Sequence, residues 1–178
     1  MSRSIFLVFC SITAVLCGLS LLTLSNAAAQ NDTQLIPDSN PDHSLEEQQN
    51  VDLTKKVIQS LATGDRDYLL SSVSNDVIWE VMGSPMIIQT SGRWVGVKGI
   101  NDVLDLAGTL WRTDGFQADQ IWADGPVVIV SGRETDTALA TGKQVSQSWV
   151  LVLTWNDNLL THAQLYGDGA AQYWSLIQ

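Results

Sequence analysis

The chain is poor in the residues that hold metals, bridge as disulfides or grip nucleic acid. Its 178 residues include two Cys and two His. Cys10 and Cys17 both fall in the apolar N-terminal stretch, so the remainder has no thiol, no disulfide and no Cys-based metal site. His162 is the one histidine in the part read below as folded, which excludes a multi-histidine metal site. Asp and Glu alone can hold a hard cation, but no D-x-D-x-D-G loop occurs. No motif calls for a cofactor. Lys and Arg number 9 against 19 Asp and Glu, for a formal charge of −10. So acidic a surface, with no basic cluster, repels nucleic acid and anionic lipid.

What is present begins with a targeting pattern. Arg3 precedes the run "IFLVFCSITAVLCGLSLLTL", and "NAAAQ" offers small residues for cleavage after Ala29, in the order of a signal for export to the periplasm or outside. At 20 residues the run also has the length of an uncleaved membrane anchor. Leu16 before Cys17, where lipid attachment calls for a small residue, argues against a lipoprotein. Residues 30–43 are polar, contain Pro37 and Pro41 and lack a period, which reads as a flexible linker. Residues 44–178 are left as one domain of a size that can bury a core.

Ser44 and Glu47 stand at capping-box spacing before Leu53, Val57, Ile58 and Leu61, which predicts a first helix ended by Gly64. Asp65 caps a short second helix, "RDYLLSSV". "DVIWEVMG" reads as a strand, and a shorter one ends at Gly96. "GINDVLDLAGTLW" predicts a third helix with Ile100, Val103, Leu104, Ala107 and Trp111 on one stripe. The period then changes to two, giving strands near 116–123, 126–136, 144–156 and 158–168 joined by turns. Helices followed by such a meander imply an α+β domain: a curved antiparallel sheet wrapped around three N-terminal helices.

Those elements, with "A-x-G-D", "D-V-x-W", "G-x-x-x-G-x-x-x-I" and a terminal "Y-x-D" in order over roughly residues 50–178, resemble the nuclear transport factor 2-like superfamily. Within it, the likeness is to the SnoaL-like branch related to ketosteroid isomerase and polyketide cyclase. The resemblance implies a cone-shaped fold with a pocket at its open end. It does not carry over steroid isomerisation, which needs a carboxylate base and an oxyanion hole of a Tyr and a protonated Asp. Here Val57 stands at the Tyr position and Trp149 at the Asp position, while the base position falls on Val81 or, with a one-residue slip, on Glu80.

Two sets of candidate residues follow. In a strand over "THAQLYGD", His162, Gln164, Tyr166 and Asp168 share one face, either the wet side of the strand or the wall of the pocket. On "QVSQSWVLVLTW" one face is apolar except for Gln147, a polar group that requires a partner if buried. The resemblance makes Asp168 the first candidate for a general base and Glu80 the second, with Asp168 as a helix cap the competing reading. Trp79, Trp149 and Trp111, with Gln147, Gln164, Tyr166 and His162, are the expected ligand-binding residues, core filling being the competing role for each Trp. Three functions stay open: an exported, non-catalytic binder of a small apolar or aromatic molecule; an isomerase, cyclase or hydrolase working through Asp168; and a scaffold that forms homodimers through its sheet.

Overall fold

The computed structural model describes residues 43–177 and Pro37. The expected signal segment, residues 1–29, lies outside the described residues, as does all of the linker except Pro37 and His43.

Helix α1 spans Leu45–Thr63, and its capping box forms as the spacing predicts, with Ser44 Oγ accepting from the Glu47 amide and Glu47 accepting from the Ser44 amide. Gly64 ends it in the left-handed conformation, at φ 73°. The side chain of Asp65 caps α2, Arg66–Ser71. Strands β1 (Val73–Val81) and β2 (Gly92–Val95) come next, then α3 (Gly96–Leu110). Trp111 is a correction to the third-helix reading: its backbone is extended and it opens β3, Trp111–Asp124. Strands β4 (Val127–Ala138), β5 (Gln144–Asn156) and β6 (Leu159–Tyr166) complete the meander, and α4 (Gly169–Leu176) is a fourth helix. Between β5 and β6 the turn places Asp157 and Asn158 at positive φ, 49° and 64°, the geometry of a tight hairpin.

The six strands make one curved, unclosed sheet in the order β2-β1-β6-β5-β4-β3. It is not wholly antiparallel, because β1 lies parallel to β6. That pairing fixes which side of each strand meets the helices. Trp79, Ala163, Leu153 and Val128 stand side by side across four strands and are all buried. The helices close over this side, where Trp155 Nε1 of β5 donates to Thr54 Oγ1 of α1 over 2.9 Å. The next residue on each strand points the other way: Glu80, Gln164, Val152, Ile129 and Trp122 form the matching row on the outer face.

Candidate functional site

Between the helices and the inner face of the sheet lies a cavity of about 470 Å³. Trp79 and Val81 on β1, Phe116 on β3, Trp149 and Leu151 on β5 and Leu165 on β6 give it apolar walls, and Leu104 and Ala107 of α3 close it from the helix side. Trp111 and Gln147 also line it. Of the expected ligand-binding residues, four therefore meet around one space: Trp79, Trp111, Trp149 and Gln147.

Gly132 makes the central wall possible. It sits across from Trp149 on β4, and a Cβ there would run into the indole ring and the Gln117 carbonyl oxygen. With no side chain in the way, Trp149 lies flat over the sheet and stacks on Phe116, ring centroids 4.8 Å apart and planes 8° from parallel. The indole is 2% exposed, and its Nε1–H is buried without an acceptor.

Polar chemistry enters the cavity from β4. Glu134 and Asp136 are two residues apart on that strand, so both point inward. Phe116, Glu134 and Gln147 are paired across three strands. The Gln147 amide works in both directions: its Oε1 accepts from the Asp168 backbone amide at 2.7 Å, which leaves Nε2 to donate to Glu134 Oε1 at 2.5 Å. This is the partner that a polar residue on the apolar face of β5 requires. Burial pushes Glu134 up to about 7; the neighbouring Asp136 adds to the rise, and the Gln147 hydrogen bond opposes it. Asp136, 4% exposed, is also raised by burial, against a hydrogen bond from Thr113. Both acids escaped the sequence reading, as did Phe116.

The polar row of β6 requires a correction. Leu165 pairs with Val81 on one side and Leu151 on the other, and these residues line the cavity. Side-chain parity then turns His162, Gln164 and Tyr166 to the outer face. Glu80 is there too, accepting from Gln164 Nε2 at 3.1 Å and bonded to His162 Nε2 at 2.9 Å. Those two hydrogen bonds, His162 first, hold its carboxyl below the ordinary carboxylate range. Glu80, His162 and Gln164 form an outer polar cluster away from the cavity. Around it Val150, Ile129, Trp122 and Tyr166 are all more than a third exposed.

Asp168 stands at the edge of the site as a cap. Its Oδ1 accepts from the Ala171 amide at 3.0 Å, and the residue is exposed and outside the cavity lining. Asp168→Ala should therefore lower stability by about 1 kcal/mol in urea unfolding, while Asp168→Asn, which caps equally well, should leave it within a few tenths. A large loss in the Asn variant would mean that the charge, and not the cap, matters.

No family profile matches the chain, and no curated protein does. Solved structures do. A nuclear transport factor 2-like protein of unknown function from Burkholderia pseudomallei is similar at a TM-score of 0.68 with 15% identity, over 73% of this chain and 98% of that one. A SnoaL-like polyketide cyclase candidate from Jannaschia sp. gives 0.66 and 17%, over 77% and 97%. TerC, co-crystallised with polyporic acid, gives 0.64 and 21%, over 72% and 98%. The fold is thus the nuclear transport factor 2-like cone of the SnoaL-like proteins, as the order of motifs implied.

Proposed function

We propose that the cone binds a small molecule with an apolar or aromatic body and that Glu134 exchanges a proton with it. The observation that carries this reading is the position of Glu134: a carboxyl group on the wall of an aromatic cavity, pushed up to about 7 by burial. An acid with that value populates both forms at neutral pH, so it can take a proton from a bound molecule and return it. Gln147 orients it, and Trp149 and Phe116 supply a flat surface beside it. Likeness to a polyketide cyclase candidate and to a protein crystallised with polyporic acid supports a small-molecule ligand. Among the sequence candidates, Asp168 is replaced in the acid–base role because its carboxylate is spent on the α4 amide.

A simple carbon acid tests the proposal. In D2O at neutral pH, 2-tetralone should lose its α-protons faster with the protein than in buffer. Glu134→Gln should slow that catalysed exchange by roughly 10²-fold, the range for one positioned base, and Asp168→Asn should leave it unchanged. If the effects of the two variants were interchanged, Asp168 would be the base. Exchange no faster than buffer would remove the proton-transfer role.

A further inference from the structure

The two acids in the cavity lack something that buried acids normally have. Side chains with titratable groups enter the lining at Asp65 and Arg66, where α2 begins, and at Glu134 and Asp136 on β4; no titratable side chain comes from α1, α3, β1, β5, β6 or α4. The one cation of this set, Arg66, is paired with Asp105 of α3, and Asp65 caps α2. Glu134 receives only the neutral Gln147 amide and Asp136 only the Thr113 hydroxyl, while Asp114, from β3, adds a like charge near Asp136. Among the described residues no Lys, Arg or His pairs with either acid. Buried carboxylates are ordinarily paired, because an unpaired charge out of water is costly. Here, among the described residues, no counter-charge for the two acids stands in the cavity wall.

The aromatic groups around the acids favour the same sign of charge. Trp79, Trp149 and Phe116 line the same cavity, and aromatic rings attract cations through their quadrupoles, most strongly for Trp and most strongly out of water. The chain as a whole, at −10, raises the local concentration of cations and lowers that of anions.

We propose that the molecule held in the cone carries a positively charged nitrogen, seated by Glu134 and Asp136 among the aromatic side chains, with its apolar body along the rest of the cavity. This rests on the cavity being the binding site, but not on any proton transfer. The bound cation is the missing counter-charge for the β4 acids, and it holds Glu134 ionised, which is the form that acts as a base. The linkage has a definite sign. A cation prefers the ionised carboxylates, so binding releases protons near neutral pH and affinity rises as pH rises through about 7. A neutral or anionic molecule that accepts a hydrogen bond from protonated Glu134 would give the opposite slope.

Benzyltrimethylammonium, whose charge does not titrate, and neopentylbenzene, its uncharged isostere, separate these outcomes. Binding is read by Trp fluorescence and by calorimetry in buffers of different ionisation heat. The cation should bind at least tenfold more tightly than the isostere at pH 8, lose most of that preference at pH 5.5, and release protons to buffer at pH 7. Glu134→Gln should abolish most of the release; Asp136→Asn provides a second test should the first variant misfold. Equal binding of the two probes, or cation affinity that increases as pH falls, would overturn the cationic ligand and leave the cavity as a site for neutral molecules. Binding of neither would overturn the cavity reading as well.

Discussion

Replacing Glu134 with Gln should stabilise the protein strongly at pH 8 and only slightly at pH 5. In the native state Glu134 titrates at about 7, raised from an ordinary 4.5 by burial and then by Asp136. Between those values the folded chain holds a proton that the unfolded chain has lost, so stability falls as pH rises through that window. Above it the native state carries a largely desolvated carboxylate at a cost of roughly 3 kcal/mol, since each tenfold weakening of acid strength corresponds to about 1.4 kcal/mol. Gln has nearly the shape of the protonated acid and still accepts from Gln147 Nε2, but carries no charge. The expected gain at pH 8 is therefore roughly 3 kcal/mol, and at pH 5 it is below about 1 kcal/mol. Urea unfolding of both proteins at the two pH values checks it. Glu47, Glu80, Asp114 and Asp119 are shifted downward and affect stability only at more acid pH, while Asp136, raised by burial, is present in both proteins.

The second large effect is steric. Gly132→Ala places a methyl group where the Trp149 ring and the Gln117 carbonyl already sit, and neither can yield cheaply. One obstacle is sheet backbone, and the other is a buried indole held by Phe116. Overpacking at such a site costs about 3 kcal/mol, at the top of the usual range, and should tilt Trp149 off Phe116. Loss of near-ultraviolet circular dichroism, together with a lower urea midpoint, is the expected result. Gly108→Ala is the control: it lies in α3, its Cβ would meet open space, and it should gain up to about 1 kcal/mol from helix propensity. Equal effects of the two substitutions would mean that Trp149 is not held over Gly132.

These two sites also show where the sequence was readable. The capping box, the Gly64 stop, the Asp65 cap and the inward face of β5 depend on residues within a few positions of each other, and all formed as read. Gln147 stood out because it interrupted a regular apolar alternation. Glu134 and Asp136 did not, since β4 begins "VVIV", apolar on both faces, and its own sequence does not say which side the acids take. Only pairing with Phe116 on one side and Gln147 on the other settles it. The β6 row failed for a related reason. Alternation correctly grouped His162, Gln164 and Tyr166, but their side follows from Leu165 meeting Val81, a parallel contact between strands about 80 residues apart. The fold was legible in local order; the site depended on distant register.

The central claim is that Glu134 is a half-buried acid of the cavity, poised near neutrality. The chain has four glutamates, Glu46, Glu47, Glu80 and Glu134, so a carbon-13 titration of selectively labelled Glu carboxyls resolves each. One midpoint near 7 is expected, absent from Glu134→Gln, with Glu47 and Glu80 below the ordinary value of 4.5. A spectrum in which all four carboxyls titrate at or below 4.5 would contradict it.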